Sequence, residues 1–403
     1  MKILMDAGPW LAVPPGGYGG VENVVATLTT ELRRRGHSVV LATVGESDLP
    51  VEERVAAFPT GQFGRLAAPY PGVVGIAHAH EQVVLDTIGR HAAAGQPFDI
   101  VHTHVEVVGP AVLGALGRSG PPVLATLHWD LHRNADFWAG FDGRGRVFYA
   151  GVSAAQVARG PELLRRQTLG AVPLAVPLSR HPRPAAPSER RPDVVALGRI
   201  TPLKGTAVAV RAARQAGLPV VLAGPVAGRP DEASLRRNLA DPAAHLHGNV
   251  DVRYFLDEVA PLLDGVTARW IGNVSGEAKD DLLRYAQAAL FPIDWEEPGG
   301  TAVCEALAAG TPVVAMARGC LPSLVEPGVT GFLAEDEAGF ARAVGRLDEL
   351  DPAACMAAAR RRFAPASMAT AYERLYSEAM ALAGGTGTVA GRAQDISGSA
   401  KSA

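Results

Sequence analysis

Two cations and two carboxylates occur at spacings that suit the handling of a charged leaving group. Arg199 and Lys204 stand five residues apart around a proline turn, directly after a predicted strand. Fixed cations at a strand end stabilise the charge of a departing diphosphate more strongly than they stabilise its ground state. Glu297 and Glu305 are separated by seven residues, and their carboxylates could accept hydrogen bonds from substrate hydroxyl groups. The alternative for all four is that they are solvated surface charges.

The residues between the two glutamates could bind an anion. Gly299, Gly300 and Thr301 lead into an alanine-rich run that predicts a helix over 301–309. The first N–H groups of a helix have no partner within it, and the helix dipole favours negative charge at that end. Glu305 would point back toward the same end. The alternative is that Glu297 only complements the helix dipole and that Glu305 is exposed.

A glycine-rich loop, residues 16–20, follows the first predicted strand and opens a helix. The backbone N–H groups around Gly19 and Gly20 could therefore face an anion. A dinucleotide fingerprint that starts at Gly17 would need glycine where Glu22 stands, which disfavours a NAD-dependent oxidoreductase. The alternative for the loop is a plain strand-to-helix turn.

His128 ends a predicted strand, where it could donate a hydrogen bond to a substrate hydroxyl or phosphate. A histidine whose hydrogen bonds are satisfied in the core is the alternative. The motifs His-Ala-His-Glu at 78–81 and His-Thr-His at 102–104 have no second motif at metal-binding spacing. No Asp-x-Asp occurs in the chain, so we expect no carboxylates placed to hold a diphosphate through a divalent metal. We therefore predict no metal site and no cofactor.

The elements that must position these residues alternate between strands and helices. The predicted helices are 206–216, 277–286, 301–309 and 367–382, together with one that runs from Val21 to about residue 35. Apolar runs predict strands over 2–8, 38–44, 99–104, 123–128, 147–153, 194–200, 220–224, 267–271, 288–293 and 312–316. This order is typical of parallel sheets in an α/β fold. Residues 45–95 have no clear pattern.

The fold class predicted from these elements is two Rossmann-like, doubly wound parallel sheets that face an interdomain cleft. Ligands of such sheets bind beyond the carboxyl ends of the strands. The predicted domains are 1–175 and 193–366, joined by a proline-rich linker over 176–192. Small and polar residues predict a disordered tail over 383–403.

Charge and hydropathy exclude several classes of protein. The formal net charge of −3 lacks the basic excess of a nucleic-acid-binding protein. No apolar run reaches the ~20 residues of a membrane span, and the first residues lack the features of a signal peptide. We therefore expect a cytoplasmic protein. The run Arg33–Arg35 predicts a helix end, and could also make weak peripheral contact with anionic lipid.

Several motifs, in this order, resemble family-4 glycosyltransferases, a retaining class with the GT-B architecture. The resemblance covers nearly the whole chain and includes the antibiotic-oligosaccharide transferases of that family, to which the proline- and glycine-rich loop is similar. The motifs are Gly19–Glu22, Arg35–His37, Asp99–His102, Gly198-Arg199 with Lys204-Gly205, Trp270–Val274, Glu297–Glu305 and Gly310–Val314.

This resemblance implies a nucleotide diphosphate sugar as donor, a UDP- or GDP-sugar, and the transfer of a hexosyl group. Arg199 and Lys204 would hold the diphosphate, and Glu297 would bind the transferred sugar with the amides of 299–301. Glu305 would bind the ribose. The family likeness implies further donor contacts from Gly19, Gly20, Asn273 and Val274.

The resemblance also implies an acceptor that is a carbohydrate, a lipid or a natural product. His128 would lie near the sugar and the acceptor, and Glu22 would contact the acceptor. The family retains anomeric configuration without a metal, by front-face attack, and its last helix packs back on the N-terminal domain. The alternatives are a catalytically silent sugar-nucleotide-binding protein and a GT-B sugar-nucleotide epimerase.

Overall fold

Apolar runs form the strands of the first sheet, because helices cover both of its faces and bury side chains on each. Within the described residues this sheet has seven strands, all paired in parallel in the order β3-β2-β1-β4-β5-β6-β7. The strands are β1 (Lys2–Asp6), β2 (Ser38–Thr43), β3 (Glu53–Ala56), β4 (Ile100–Thr103), β5 (Val123–Leu127), β6 (Val147–Gly151) and β7 (Thr168–Ala171).

The computed structural model describes residues 1–17, 19–66, 69–178, 181–241 and 245–385. The chain divides into two compact units. The second unit spans Val176–Ala364, and the first combines Met1–Ala175 with the segment that begins at Pro365. The proline-rich segment 176–192, predicted to be a linker, is thus counted with the second unit.

Helices of the first unit follow the predicted apolar spacing where that spacing is clear. In α1 (Gly20–Arg34), buried Val24, Val25, Leu28 and Leu32 form one stripe that faces the sheet. The other helices of this part are α2 (Tyr70–Ala93), α3 (Val108–Gly114), α4 (Ala135–Gly140), α5 (Ala154–Ala158) and α6 (Glu162–Gln167).

The second sheet repeats this design with six parallel strands among the residues described. Their order is β10-β9-β8-β11-β12-β13. The strands are β8 (Val194–Leu197), β9 (Val220–Ala223), β10 (Ala268–Trp270), β11 (Ala289–Phe291), β12 (Val313–Met316) and β13 (Gly331–Ala334). Together the two sheets confirm the predicted doubly wound α/β class.

Eight helices accompany the second sheet in the described ranges. Their apolar sides pack into clusters that include Val210, Phe340 and Val344 on one side of the sheet, and Leu307 and Phe363 on the other. The helices are α7 (Thr206–Gln215), α8 (Glu232–Leu239), α9 (Val250–Tyr254), α10 (Gly276–Arg284), α11 (Thr301–Ala308), α12 (Leu321–Leu324), α13 (Glu337–Val344) and α14 (Pro352–Arg362).

The last helix, α15 (Pro365–Gly384), returns to the first unit and packs on its sheet and on α1. Leu375 and Tyr376 are fully buried there. An ion pair between Arg35 and Glu373, at 2.7 Å, joins α15 to the end of α1. The helix is two residues longer at each end than the predicted 367–382, and Ala383, in the extension at its C-terminal end, is buried in this cluster. The rest of the predicted tail, residues 386–403, lies outside the described residues.

Chain order reverses next to the first strand of each sheet, between β1 and β4 and between β8 and β11. In open parallel sheets, ligands bind beyond the carboxyl ends of the strands at this switch point. The loops there are 7–17 with Gly19 and 104–107 in the first unit, and 198–205 and 292–300 in the second. These four loops contain many of the predicted site residues.

Several elements were not predicted from the sequence. Within residues 45–95 the structure has β3 and the long helix α2. Alternate residues of β3 are exposed, so it lacks the continuous apolar run of a buried strand.

Among the described helices, none combines the length and the apolar character that a membrane crossing requires. Arg33, Arg34 and Arg35 each pair with a glutamate of the first unit.

Truncation of Leu375 tests the packing of α15. We expect Leu375→Ala to lower the free energy of unfolding by about 2–5 kcal/mol, because the buried side chain leaves a cavity. Urea titration followed by circular dichroism measures the change. Ser377→Ala is the control, since Ser377 is exposed on the same helix. Equal midpoints for the two variants would contradict the packing described here.

Candidate functional site

The loop after β8 brings Lys204 toward β11. The Thr201 side chain accepts a hydrogen bond from the Lys204 N–H at 3.3 Å, which closes a tight turn. Gly205 then adopts a φ of +65°, and a Cβ there would lie 2.0 Å from the carbonyl oxygen of Pro292. Only glycine allows both this conformation and this close approach. The loop after β8 therefore packs directly on the loop after β11.

Lys204 and Glu297 form an ion pair as a result. Lys204 Nζ lies 2.5 Å from Glu297 Oε2, and both side chains are mostly buried. Trp295 Nε1 donates to the same oxygen at 2.9 Å, and the Lys204 ammonium lies 5.5 Å from the centre of the Trp295 ring. Two predicted site residues that are distant in sequence thus meet at the carboxyl edge of the second sheet.

Arg199 lies in the same part of the second unit. Gly198, Arg199 and Lys204 line one small depression with Phe291 and Ile293. The Arg199 side chain is exposed, so it can bind an anion without first giving up a buried partner. The structure therefore brings Arg199, Lys204 and Glu297 together.

The amino end of α11 follows Glu297 directly. Gly300 has a φ of +59°, and a Cβ there would lie 2.5 Å from Leu324, so glycine is required. No described side chain caps this helix, which leaves its first N–H groups available to an anion. Glu305 lies one turn further on and pairs with Lys279 at 2.6 Å. The carboxylate predicted to bind hydroxyl groups thus already holds a cation.

Asn273 and Val274 follow β10 on a loop of the second unit. Gly272, with a φ of +80°, lets this loop approach the carbonyl oxygen of Pro230, to which the Asn273 N–H donates at 2.6 Å. The Asn273 side chain is exposed. Val274 is half-buried and packs on the small cluster that includes Val221. The loop is thus held by its backbone and presents one polar side chain to solvent.

In the first unit, Gly19 and Gly20 begin α1 as predicted. A Cβ at Gly19 would lie 2.7 Å from Pro15 and 3.1 Å from Glu22 Oε2, whereas Gly20 has open space. Glu22 is only 6% exposed, and this burial raises the pKa of its carboxyl to about 7. The residue predicted to contact an acceptor is therefore a carboxyl group that gains a proton near neutral pH.

His128 follows β5, also in the first unit. Its Nε2 lies 2.8 Å from His104 Nδ1, and its backbone N–H donates to the Glu106 carboxylate. Burial lowers the pKa of His128 to about 4 and raises that of Glu106 to about 7. His128 is half-buried rather than enclosed in the core. Its ring is thus neutral at pH 7 and held in place by a second histidine.

The other histidines of the sequence motifs have local partners. His80 Nε2 lies 2.7 Å from Asp6, and His102 lies 2.7 Å from both Tyr376 and Thr126. His78 bonds to a carbonyl oxygen of its own helix. Across the described residues, no group of three or more His, Cys, Asp or Glu side chains is arranged to hold a metal ion.

Sequence reasoning missed four residues that support the site. Trp295 and Lys279 bind the two predicted glutamates, and Glu106 binds the backbone of His128. A Cβ at Gly319 would lie 2.2 Å from the carbonyl oxygen of Glu297, so this glycine lets the loop after β12 pack on the site. In the sequence these four residues are an ordinary aromatic, lysine, glutamate and glycine in predicted loops or helices. Residues of these types are too common at such positions to indicate a role.

Comparison with known proteins gives matches in both units. Residues 179–362 match the family model described as "Glycosyl transferases group 1". Residues 18–163 match the model described as "Glycosyltransferase Family 4". A relative named D-inositol 3-phosphate glycosyltransferase, from Actinosynnema mirum, is 30% identical over 357 residues, which are 79% of this chain and 80% of the relative.

Solved structures share the same fold. AviGT4, a glycosyltransferase involved in avilamycin A biosynthesis, aligns with a TM-score of 0.63 and 24% identity over 94% of this chain and 98% of its own. HepE from Anabaena, in complex with UDP and glucose, aligns with a TM-score of 0.60 and 19% identity over 94% of this chain and 100% of its own.

Fold and family matches together define the class of protein as a glycosyltransferase with the GT-B architecture. The chain belongs to glycosyltransferase family 4: the model of that name covers residues 18–163, the group 1 model covers residues 179–362, and the relative from Actinosynnema mirum aligns along most of the chain. The resemblance inferred from the sequence motifs is thereby confirmed.

Replacement of Gly205 tests the approach of the two loops. We expect Gly205→Ala to lower the free energy of unfolding by about 1–3 kcal/mol more than Gly217→Ala does, because its Cβ would overlap the Pro292 carbonyl. Gly217 is the matched control: its φ is +70° and it has open space. Thermal unfolding of both variants measures the difference. Equal losses would mean that only the backbone conformation, and not the contact, requires glycine.

Burial of Glu22 predicts a pH dependence of stability. A carboxyl whose pKa is raised to about 7 in the folded state binds more protons than the unfolded chain between about pH 4.5 and 7, so its contribution to stability falls as pH rises through this window. We expect Glu22→Gln to gain stability relative to the wild type between pH 5 and 8, by up to about 3 kcal/mol. Urea midpoints at the two pH values measure this gain.

Glu162→Gln is the control for this experiment, since Glu162 is exposed in the same unit. Its midpoint should differ from that of the wild type by the same amount at both pH values. A Glu22→Gln variant that behaves in this way would show that the carboxyl stays ionised in the folded protein.

Proposed function

We propose that this chain is a retaining, metal-independent glycosyltransferase. It moves a hexosyl group from a UDP- or GDP-sugar to a carbohydrate, lipid or natural-product acceptor. The observation that carries the proposal is the placement of Lys204, 2.5 Å from Glu297, beside Arg199 and near the uncapped amino end of α11. These groups can receive a pyrophosphate and a sugar at one edge of the second sheet.

Arg199 and Lys204 are the groups that stabilise the departing nucleoside diphosphate. Negative charge on the leaving phosphate grows as the glycosidic bond breaks, and cations held in place favour that state over the ground state. Lys204 gains this position from its contact with Glu297, which restricts the flexible lysine side chain before any ligand arrives. Arg199 supplies a planar cation that can bind two phosphate oxygens at once.

Glu297 and the amides of Gly299 to Thr301 bind the transferred sugar. One oxygen of Glu297 already accepts two hydrogen bonds, from Lys204 and Trp295, so the other is the acceptor for a sugar hydroxyl. Glu305 binds the ribose hydroxyls, with Lys279 holding its carboxylate in one orientation. Asn273 and Val274 cover the nucleobase.

The first unit contributes the remaining groups. The backbone around Gly19 and Gly20 binds donor phosphate, and His128 donates to a hydroxyl or phosphate oxygen. Glu22 binds the acceptor. Support for its role comes from its raised pKa, since a carboxyl that is protonated near pH 7 can donate a hydrogen bond as well as accept one.

Metal-independent transfer is favoured by two features of the chain. The sequence lacks Asp-x-Asp, and it places two cations where a metal-dependent transferase would place carboxylates. In a front-face reaction the acceptor oxygen forms its bond to the anomeric carbon as the bond to the leaving phosphate breaks. That phosphate takes the acceptor proton, so configuration is retained.

Two other functions are compatible with donor binding: a silent sugar-nucleotide-binding protein and a sugar-nucleotide epimerase. An epimerase would change the donor without any acceptor, and a silent protein would leave it unchanged under all conditions. Incubation of each donor with and without acceptors, followed by chromatography of the products, separates these alternatives from transfer.

A donor panel tests the proposal. UDP-, GDP-, TDP- and ADP-sugars are added to the chain in the presence of a chelator, and thermal unfolding is followed. We expect one pyrophosphate donor to raise the unfolding temperature, because a ligand that binds only the folded state stabilises it by mass action. Arg199→Ala and Lys204→Ala should each lower kcat/KM by about 100- to 1000-fold with that donor.

Arg211→Ala is the control, since this exposed arginine of α7 pairs with Glu337 on the surface of the second unit. It should leave both the shift and the rate unchanged. Loss of the thermal shift in chelator would overturn metal independence. A product with inverted anomeric configuration, read by proton NMR, would overturn retention.

A further inference from the structure

Two histidines of the first unit are joined by a direct hydrogen bond. His104 follows β4 and His128 follows β5, and their ring planes are inclined by 28° with centroids 5.1 Å apart. The atoms in contact are His104 Nδ1 and His128 Nε2, 2.8 Å apart. Burial lowers the pKa of both rings, so each is neutral at pH 7 and carries one proton. One of the two nitrogens must therefore donate and the other accept.

The environment of His104 decides which ring donates. Its other nitrogen, Nε2, is buried and has no hydrogen-bond partner among the described residues. If His128 donated, His104 would carry its proton on this Nε2, as a buried N–H group without an acceptor. Such orphaned donors are rare and unfavourable, more so than an acceptor that lacks one bond. The proton of His104 therefore lies on Nδ1 and is donated to His128.

The same assignment fixes the proton of His128. Because its Nε2 accepts, the neutral ring must carry the proton on Nδ1. No described residue bonds to this Nδ1, and it is not among the buried unpaired atoms of the structure. His128 thus presents an N–H donor that a ligand oxygen can reach.

The His104 ring is held by the residues beneath it. The centroid of the His102 ring lies 4.3 Å from that of His104. His102 is itself fixed at both nitrogens, 2.7 Å from the Tyr376 hydroxyl on α15 and 2.7 Å from Thr126 on β5. The pair therefore rests on a rigid layer that joins two strands and the last helix.

The backbone of His128 is held as firmly as its ring. Glu106 accepts hydrogen bonds from the N–H groups of His128 and Trp129. From the other side, the Gln156 amide donates to the carbonyl oxygens of Leu127 and Trp129, both at 2.9 Å. Two side chains thus hold the backbone of one short segment from opposite sides, which is the arrangement needed to aim a single hydrogen-bond donor.

We propose that His104 is a positioning residue for transfer: it sets the tautomer and the orientation of His128, so that His128 Nδ1–H donates to a hydroxyl or phosphate oxygen of the substrate. This inference rests on the proposed function, in which His128 contacts substrate. It adds that His128 is a neutral hydrogen-bond donor rather than a general base, since its only lone pair is already used by His104.

Nitrogen NMR of the whole chain with ¹⁵N-labelled histidine tests the tautomer without any substrate. The ring nitrogen shifts distinguish protonated nitrogens from lone pairs, and the His128 signals are identified by their loss in His128→Ala. We expect Nδ1–H in the wild type. A wild-type His128 that carries its proton on Nε2 overturns the proposal, whatever the activity of the protein.

Two substitutions of His104 test the role in transfer. In His104→Asn the side-chain amide can place an N–H near the position of Nδ1, whereas His104→Leu has no donor. We expect His104→Leu to lower kcat by about 10- to 100-fold, and His104→Asn to recover most of that loss. His78→Leu is the control, because His78 is exposed on α2 and lies outside this cluster. Circular dichroism and thermal unfolding establish that each variant folds.

A double substitution shows whether His104 acts through His128. Adding His104→Leu to His128→Ala should cause no further loss of kcat if the first residue acts only through the second. A full additional loss, or equal activity of His104→Leu and His104→Asn, overturns the positioning role. If the wild type transfers no sugar from any donor, the proposed function fails, but the NMR result still decides the tautomer.

Discussion

The ion pair between Lys204 and Glu297 holds the loops at the carboxyl edge of the second sheet in place. It joins residues 93 positions apart, from the loops after β8 and β11. Both charges are mostly buried, so either one alone would be strongly unfavourable, and each holds the other in place. The backbones can come this close only because Gly205 and Gly319 have no side chain. The result is a fixed cation at the switch point of the sheet.

The first unit stabilises its own edge with buried hydrogen bonds around a carboxylate rather than with a lysine ion pair. Asp6, at the end of β1, accepts from Thr103 at 2.6 Å and lies 2.7 Å from His80. Glu81 is buried beside it, and burial and the nearby Asp6 carboxylate raise its pKa well above the usual range. Asp6 and Thr103 lie at the ends of β1 and β4, and the His104 N–H donates to the Asp6 carbonyl oxygen at 2.8 Å, so the polar cluster adjoins the histidine pair.

The two edges therefore have different chemical characters. The second unit offers exposed Arg199, a lysine held by a glutamate, and the uncapped amino end of α11, all of which suit a pyrophosphate. The first unit offers neutral histidines and a carboxyl group, Glu22, with a raised pKa, which suit neutral hydroxyl groups. A transferase needs both kinds of surface, because its donor is highly charged and the reacting group of its acceptor is not.

The sequence by itself determined the strands and helices whose buried side chains are apolar and regularly spaced. Ten of the strands that the structure describes, and the helices α1, α7, α10, α11 and α15, follow from apolar runs and helical spacing, because burial acts on each segment locally. The half-exposed β3 and the short, glycine-led β13 lack such a signal. The sequence also indicated which residue types could do chemistry, and motif order alone was enough to indicate the family.

Only the tertiary structure decided the partners of those residues. Lys279 on Glu305, Lys204 on Glu297 and His104 on His128 are all contacts between separate elements. The clearest case is Tyr376, which reaches His102 from 274 residues away. Local patterns cannot encode such pairs, because a hydrogen bond requires two atoms within about 3 Å, and that distance is set by how strands and helices pack on one another.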